Sequence, residues 1–280
     1  MFELVVSALP LAIVASTPLL LAVQGELVVQ RSGMINLGIE GMMLTAAMTT
    51  VLAAQATKSA VLGFAGGIAG AALVALLFGV FAIALKADQI VTGTAINLLA
   101  LGFTSFVYRE LQGDVFVQSV PRVTVDASVP LAWIVIPIAL ALLLWNTTFG
   151  LRLRACGENP EAVAMSVRSH RAIALGIQAL LAGLGGAHLA LVLSSGFAEN
   201  MTTGRGYIAL SIVIFGGWKF KGALLGTAIF GLAAALQYAL QARTQNVQYH
   251  LALAVPYVVT LLILCGVTGR VRAPEALGKS

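Results

Sequence analysis

Charged side chains are scarce in this chain of 280 residues. Asp, Glu, Lys and Arg make up only 10% of the sequence, while hydrophobic residues make up 59% and the mean hydropathy is +0.97. A soluble protein of this length needs far more polar surface to cover its core. The composition therefore excludes a soluble globular protein and predicts a polytopic membrane protein.

Groups that carry chemistry are also scarce. The two cysteines are too few for a disulfide framework, and we expect no pairing because Cys156 lies in a polar stretch and Cys265 in an apolar run. No set of His, Cys, Asp or Glu has the spacing of metal ligands, no nucleophile is paired with a base, and the phosphate-binding pattern GxxxxGK[ST] is missing. The net charge is +5, but no basic run is interleaved with aromatic residues as in nucleic-acid surfaces. The sequence predicts no metal, no cofactor, no nucleic-acid binding and no enzymatic activity.

Long apolar runs, separated by charged residues, are the main feature of the chain. Most contain the roughly 20 residues that a helix needs to cross about 30 Å of hydrocarbon. The first run follows no Lys or Arg and is longer than the core of a signal peptide, so we expect a retained span. The runs lie at 4–25, 41–57 (34–57 if Glu40 is tolerated), 59–85, 89–108, 127–151, 172–198, 206–218, 222–242 and 244–269. They predict an all-α fold in one transmembrane domain, 1–280, with about nine transmembrane helices.

The run at 206–218 is short, because its 13 residues rise only about 20 Å as a helix. We expect a broken or re-entrant element there, but charge favours a crossing. If all nine runs cross and the N-terminus is outside, 11 of the 16 Lys and Arg face the cytoplasm, as the positive-inside rule requires. Without this crossing the bias reverses. The 11 are Arg31, Lys86, Arg152, Arg154, Arg168, Arg171, Lys219, Lys221, Arg270, Arg272 and Lys279, and the other five are Lys58, Arg109, Arg122, Arg205 and Arg243. The prediction is a multi-pass protein of the inner or plasma membrane, with a short basic cytoplasmic tail at 270–280.

Glycines cluster inside the predicted spans, in GFAGGIAGAA at 63–72 and AGLGGA at 182–187. Gly63 with Gly67, and Gly66 with Gly70, are spaced by one helical turn. Such spacing lets helix backbones approach closely in lipid. We expect intramolecular helix packing here, with a subunit interface as the alternative.

One substantial polar segment faces the predicted cytoplasm, GLRLRACGENPEAVAMSVRSHR at 150–171. Asn159 suits an N-cap, Pro160 the first helical position and Glu161 the first turn. The pattern predicts a short helix from about Pro160 to Val167, parallel to the membrane. Such a helix either rests on anionic headgroups or docks into a groove of a soluble partner.

Three stretches resemble the signature regions of permease subunits of ABC importers, in the branch for simple sugars and nucleosides. They are RSGMINLGIEGMML at 31–44, LRLRACGENPEAVAM at 151–165 and GRGYIALSIVIFGGWKFKGALLG at 204–226. The resemblance implies a type II importer-like permease fold. In that family the GENPEA-like segment is the coupling loop that touches the ATPase, which implies this role for Arg154, Gly157, Glu158, Asn159, Pro160, Glu161 and Ala162. The chain departs from the family pattern at Val163 and at 165–167, so the start of the coupling element matches better than its end.

The resemblance also implies partners and a solute. The partners are an ABC ATPase subunit, either separate or fused as a double ATPase, a second permease, and an extracytoplasmic substrate-binding protein. In the nucleoside branch the second permease is usually a different homologous chain. The expected solute is a nucleoside or purine, with ribose-like sugars or branched-chain amino acids as alternatives. The polar outer stretches at 109–126 and 195–205 are the expected surface for the binding protein.

Glu40 is a carboxylate set among apolar and small residues, in GMINLGIEGM at 33–42. About nine residues separate it from Arg31, so the topology places it within the membrane, where an unpaired charge costs a few kcal/mol or more. Three roles are compatible with this position. Glu40 is a structural lock that accepts hydrogen bonds from backbone amides or pairs with Arg31, a polar lining of the translocation path, or a site of proton coupling.

Few other polar side chains lie in the predicted spans. Asn97 is the strongest candidate for the translocation path, although hydrogen bonding between helices explains it equally well. Asn36, Glu40 and Gln178 complete the candidate set. His188 is expected to be a packed core residue rather than a ligand.

Two other classes of protein compete with a permease that depends on a separate ATPase. An ion-coupled secondary transporter would use Glu40 and an unwound helix as its coupling site, but it leaves the segment 150–171 without a role. An intramembrane enzyme needs a buried catalytic pair, which these residues do not supply. The sequence therefore favours a permease subunit that forms half of a translocation path.

Overall fold

The chain is helical throughout the part that the structure describes. The computed structural model covers residues 2–111, 125–194, 196–241 and 272–279, and no strand occurs within these ranges. The helices are α1 (Phe2–Arg31), α2 (Ile39–Thr57), α3 (Ala60–Gly79), α4 (Gln89–Leu111), α5 (Val125–Pro130), α6 (Ile136–Asn146), α7 (Thr148–Glu158), α8 (Val167–His188), α9 (Arg205–Phe215) and α10 (Phe220–Gln241). π-Helical turns follow α3, α5 and α8, at Val80–Ala84, Leu131–Val135 and Leu189–Leu193, and a 3₁₀ helix links α7 to α8 at Pro160–Ser166. The predicted all-α fold is confirmed.

Among the described residues, five helical stretches are long and apolar enough to cross a membrane. They are Ala12–Arg31, Ala60–Ala84, Gln89–Leu111, Ser128–Asn146 and Val167–Leu193. The 19 residues of α2 give it a length of about 28 Å, while the run at 244–269 lies outside the described residues. The polytopic membrane protein is confirmed, and the number of nine crossings stays a prediction.

The helix ends define two sides of the bundle. On one side the end of α1 meets the ends of α7 and α9, because Arg31 Nη1 lies 3.8 Å from Glu158 Oε1 and Arg31 Nε donates to Trp218 O at 2.8 Å. On the other side α2 turns into α3 at Lys58, and apolar residues from the ends of α2, α3 and α4 share one cluster. We call these ends the Arg31 side and the Lys58 side. The connections that carry Lys86, Arg168, Lys219 and Lys279 all lie on the Arg31 side. Arg122, Arg243 and Arg270 lie outside the described residues, and the orientation of the bundle in the membrane stays a prediction.

The charge pattern, with the first apolar run ending at residue 25, predicts a polar loop at 26–33, but α1 continues to Arg31. Leu27, Val28 and Val29 are fully buried, and Glu26 itself is 0% exposed. The prediction of a loop was wrong because Glu26 is hydrogen-bonded by amide side chains inside the protein, not solvated outside it. A buried polar group with partners is compatible with a continuous helix.

The glycines of α3 and α8 lie where helix backbones touch. A Cβ added to Gly63 would stand 2.8 Å from Ala54 Cβ of α2, and one added to Gly183 would stand 2.7 Å from Ile68 Cα of α3. A Cβ on Gly67 would overlap Thr50 Oγ1. The predicted intramolecular packing of these glycines is confirmed.

Gly186→Ala is expected to destabilise the packing of α8 on α2. The added methyl group would overlap Met43 O and stand 2.8 Å from Ala46 Cβ, and overpacking of this kind costs about 1–3 kcal/mol. Gly176→Ala in the same helix is the matched control, because among the described residues no atom apart from its chain neighbours and its own helix backbone lies within 4 Å of its added Cβ. Thermal unfolding in detergent, followed by circular dichroism, measures the difference. Equal midpoints for the two variants would contradict close backbone contact at Gly186.

The run at 206–218 contains a short helix, as expected of a broken or re-entrant element, and its crossing of the membrane stays a prediction. α9 has 11 residues and therefore rises only about 16 Å, roughly half of the hydrocarbon thickness. Its C-terminal end reaches the Arg31 side through Trp218, and turns at 199–204 precede it. If this segment crosses the membrane, non-helical backbone provides the remaining part of the crossing.

Candidate translocation and coupling sites

Glu40 closes the N-terminal end of the broken helix α9. Its Oε1 accepts the N–H of Gly204 at 2.8 Å, and its Oε2 accepts the N–H of Gly206 at 2.6 Å. The first N–H groups of a helix lack acceptors within the helix, and negative charge is favourable at that end. Arg31 is engaged elsewhere, with Glu158, so the alternative of an Arg31–Glu40 pair is not formed. The geometry supports the structural lock among the three predicted roles.

Asn97 joins α4 to the same region. Its Oδ1 accepts the N–H of Gly41 at 2.8 Å, and its Nδ2 donates to Leu37 O at 2.7 Å and to the Tyr207 hydroxyl at 2.8 Å. Asn97 is 7% exposed, whereas Tyr207 is 43% exposed. The carboxamide therefore satisfies backbone groups where α2 begins and also fixes a side chain on the surface of α9.

Asn36 and Gln178 belong to a buried polar network. Asn36 Nδ2 donates to Gln178 Oε1 at 2.6 Å, and Gln178 Nε2 donates to Glu26 Oε2. Gln30 Nε2 donates to Glu26 Oε1 at 2.8 Å, and Trp218 Nε1 donates to Gln30 Oε1 at 2.6 Å. Asn36, Gln178 and Glu26 are each 0% exposed. The network ties α1 to α8, to the segment before α2 and to the residues after α9.

Breaking this network without replacing its hydrogen bonds is strongly unfavourable in free energy. A buried donor or acceptor left without its partner costs about 1–3 kcal/mol, so any relative movement of α1 and α8 has to exchange these hydrogen bonds rather than lose them. The predicted contact of Asn36 and Gln178 with a solute stays a prediction, because both side chains are enclosed in this conformation.

The predicted coupling element at 150–171 consists of the end of α7, a 3₁₀ helix and the start of α8. The short helix begins at Pro160 as expected, but it is not an α-helix, and Val163 interrupts it with φ −126° and ψ 23°. Asn159 stands before Pro160, yet its side chain makes no capping hydrogen bond within the described residues. The predicted Asn159 cap was wrong. The carbonyl of Asn159 closes the turn instead, by accepting the N–H of Ala162 at 3.2 Å.

The end of α7, the end of α1 and the C-terminal tail form one packed unit. Gly157 lies so close to α1 that an added Cβ would overlap Arg31 O. The tail binds both partners, because Ala276 N donates to Gly157 O at 2.9 Å and Gly278 N donates to Gly33 O at 3.0 Å. Gly33 has a φ of +87°, which favours glycine at this turn. A displacement of α7 is therefore passed directly to α1.

The predicted coupling residues differ in what they can offer to a partner. Gly157 is buried, and Arg154 lies with its guanidinium carbon 5.8 Å from the centre of the Trp145 ring. Glu158, Asn159, Glu161 and Ala162 are exposed, and Pro160 is half-buried. A cavity of about 620 Å³ on this side is lined by residues 158–161 together with Lys86, Arg168, Arg171, Glu275 and Lys279. The four exposed residues are those that a docking protein would contact.

The residues that the structure describes contain no group of three or more His, Cys, Asp or Glu that could hold a metal ion. Cys156 is buried in α7, and burial raises the pKa of its thiol, which disfavours the reactive thiolate.

The two predicted outer stretches meet on the Lys58 side. Arg109 Nε donates to Glu199 Oε1 at 3.1 Å, and this hydrogen bond lowers the pKa of Glu199. The rings of Tyr108 and Phe197 lie beside the ion pair, with centroids 5.7 Å apart. Residues 112–124 of the first stretch lie outside the described part of the chain.

Four residues of these sites were missed in the sequence. Glu26 and Gln30 read as part of a polar loop, and Trp218 and Tyr207 read as ordinary aromatic residues at the ends of an apolar run. One signal was available, because Glu26 and Gln30 are spaced by one helical turn, which permits a side-chain pair on a continuous helix.

Comparison with known proteins assigns a family to this arrangement. The family model described as "branched-chain amino acid transport system / permease component" matches residues 7–264. The chain belongs to this permease family. The resemblance on which the coupling element was identified is thereby confirmed at the level of the family.

Named permeases match this permease over most of their own length. The guanosine ABC transporter permease protein NupQ of Bacillus subtilis is 34% identical over 300 aligned positions, which cover 96% of this permease and 94% of the relative. The nucleoside ABC transporter permease protein NupC of Lactococcus lactis is 31% identical, with coverages of 95% and 93%. A putative glucose ABC transporter permease protein of Haloferax volcanii, TsgC13, is 34% identical, with coverages of 80% and 74%. No solved structure gives a significant match to the permease.

Proposed function

We propose that this permease imports a nucleoside, with a simple sugar as the second solute class, and that a separate ATPase subunit supplies the energy. The observation that carries the solute class is the similarity over nearly the whole length to permeases named for guanosine and nucleosides. The putative glucose permease among the relatives favours the sugar as the second class. A branched-chain amino acid is the third, because the family description names it.

In this proposal the Arg31 side faces the cytoplasm and the Lys58 side faces the binding protein. The concentration of basic residues on the Arg31 side supports this orientation. The exposed residues 158–162 would then meet the ATPase, while the Arg109–Glu199 pair would lie in the surface that receives the binding protein. A second permease, either a copy of this chain or a homologous one, would complete the translocation path.

The contacts suggest how ATP binding would reach the path. Closure of the ATPase domains would displace the end of α7, and the packed unit at Gly157 would move α1 with it. α1 carries Glu26, so the hydrogen bonds to Gln178 and Asn36 would have to rearrange. Glu40 would hold the start of α9 on α2 throughout, so that the broken crossing moves as one body with α2.

Reconstitution tests the function directly. Proteoliposomes that contain the permease with its ATPase, its second permease and its binding protein are expected to take up labelled guanosine when ATP is supplied on the ATPase side. Unlabelled guanosine should compete more strongly than glucose or leucine.

The permease reconstituted alone is the control, and we expect it to transport nothing. Uptake by the single subunit under a proton or sodium gradient would identify a secondary transporter and overturn the proposal. ATP-driven uptake of leucine but not guanosine would keep the importer and replace the solute.

A further inference from the structure

We propose that Tyr207 is a solute-contacting residue of the translocation path, and that its ring binds the flat face of a nucleobase or the apolar face of a sugar. This inference rests on the proposed function, because it assumes a solute of that class. The proposal is carried by the depth of Tyr207, its exposure, the open backbone beside it and the hydrogen bond that fixes its ring.

Tyr207 lies deep between the two sides of the bundle. Its hydroxyl is bound to Asn97 at 2.8 Å, and α4 runs from Gln89 on the Arg31 side to Leu111 on the Lys58 side. Asn97 is therefore about 12 Å along the helix from Gln89 and about 21 Å from Leu111. A tyrosine at such a depth is too far from either helix end to be explained as an interfacial anchor, which is the usual place for exposed tyrosine in membrane proteins.

The backbone next to Tyr207 is open. Gly204, at the start of α9, has a φ of +83°, and a Cβ added there would meet no atom within 4 Å. Turns precede it at 199–204. Non-helical backbone at membrane depth is tolerated only where protein covers it or where it lines a water-filled cavity. Gly204 is half-buried and its N–H is bound by Glu40, but no atom of the described residues fills the space on the side where its Cβ would stand, so this side of the turn is placed against the path rather than against lipid.

The face of α9 around Tyr207 carries polar side chains beside an apolar one, since Ile214, two turns further along, is 39% exposed. Ser211 lies one turn further along α9, and its hydroxyl donates to Tyr207 O at 2.9 Å. Arg205 is at the start of the helix and directs its guanidinium to Met201 O and Thr202 O. Polar groups at this depth in a membrane protein normally face a cavity or the interior of a bundle. An aromatic ring with hydrogen-bonding neighbours suits a nucleoside or sugar, which combines a flat or apolar face with a polar edge.

Asn97 holds the ring in place. Because its carboxamide is also bound to Gly41 N and Leu37 O, the tyrosine hydroxyl is anchored to the rigid start of α2. A fixed ring stacks without first losing rotational freedom, so binding costs less entropy. This assigns Asn97 as a positioning residue for Tyr207 rather than as a direct contact.

Thiol accessibility in the assembled importer tests the proposal. With Cys156 and Cys265 replaced by Ser, Tyr207→Cys should react with a charged, membrane-impermeant methanethiosulfonate reagent, and saturating guanosine with the binding protein should slow the reaction at least five-fold. Leu73→Cys is the control, because Leu73 is 67% exposed on the apolar helix α3 and a lipid-facing thiol does not meet a charged reagent. Tyr207→Cys that stays unlabelled, or whose labelling guanosine does not slow, overturns the proposal.

A second measurement covers the case in which Tyr207→Cys is not recovered in the membrane. Ser211→Cys lies on the same face and should show the same labelling and protection, and its failure to do so overturns the proposal equally. Tyr207→Phe should keep at least half of the guanosine uptake rate because the ring is retained, whereas Tyr207→Leu should lose at least ten-fold. Uptake by the unmodified importer is measured in the same preparation. Its absence would refute the proposed function, whereas normal uptake with an unlabelled cysteine would refute only the role of Tyr207.

Discussion

Glu161→Lys is expected to abolish ATP-driven uptake and the stimulation of the ATPase together, while the permease still inserts and folds. Glu161 is exposed beside the cavity on the Arg31 side and has no ion pair with any described residue. Reversal of its charge therefore breaks no ion pair among the described residues. It places a positive charge where the ATPase is proposed to dock, against the basic groups of the ATPase that Glu161 would meet. Like charges at an interface oppose binding by several kcal/mol. Uptake and stimulated ATP hydrolysis in the reconstituted importer measure the effect.

Glu161→Gln is the matched control, because it removes the charge at nearly constant volume. It should retain most of the coupling. If residues 158–162 rested on anionic lipid instead, an added Lys would strengthen that contact by roughly 1 kcal/mol and transport would be unchanged. Wild-type values of uptake and ATPase stimulation for Glu161→Lys would therefore place the coupling site elsewhere.

Glu158→Lys is a less selective probe than Glu161→Lys. Glu158 is paired with Arg31 at 3.8 Å, so its reversal also weakens the packing of α7 on α1. If only this variant lost coupling, the loss would be attributed to the broken Arg31–Glu158 contact inside the permease and not to the docking surface.

Glu40→Ala is expected to destabilise the membrane domain strongly. The variant removes the acceptor of two N–H groups, the buried one of Gly206 and the half-buried one of Gly204. Hydrogen bonds to a charged group contribute about 1.5–3 kcal/mol each, so we expect a loss of about 3 kcal/mol or more. The measurement is the unfolding midpoint in detergent, together with the fraction of monodisperse protein after extraction.

Two variants calibrate the result for Glu40. Glu40→Gln retains one oxygen acceptor and should lose roughly half of the stability that Glu40→Ala loses. Glu110→Ala removes a carboxylate from an exposed position on α4 and should be close to neutral. If Glu40→Ala kept its stability but lost transport, Glu40 would line the path rather than lock α9.

The apolar runs predicted most of the helices, because hydrophobic length is a local property that the chain displays directly. α4 occupies 89–111 against a predicted 89–108, and α8 with its π-helical turn occupies 167–193 against 172–198. α1 was cut short at residue 25, because charge was taken as a sign of solvent and Glu26 is charged. Its partner Gln178 is 152 residues away in the sequence, and no local pattern could show that such a partner exists.

In the coupling element, too, the start of the helix is predicted from local sequence, whereas other features depend on tertiary contacts. Proline at position 160 predicts where a helix begins, since its fixed φ and missing N–H suit the first turn. The failure of the Asn159 cap and the break at Val163 depend on how the segment is held between α7, α8 and the tail. The tail reaches this site from more than 100 positions further along the chain, so its contact with Gly157 could not be predicted from the local sequence.

The sequence by itself determined that this is an all-α membrane protein, roughly where most of the described helices lie, which segment is polar on the Arg31 side, and to which family of importers the chain is similar. Composition, run length and short motifs are properties of the sequence itself, so they can be recognised without knowledge of the fold. Only the tertiary structure decided what the intramembrane polar groups do: Glu40 binds amides 164 and 166 residues away, Asn97 fixes Tyr207, and Glu26 is the centre of a buried network. In a medium without water each such group must find its partner within the protein, and which partner lies within reach is set by the packing of helices that are distant in sequence.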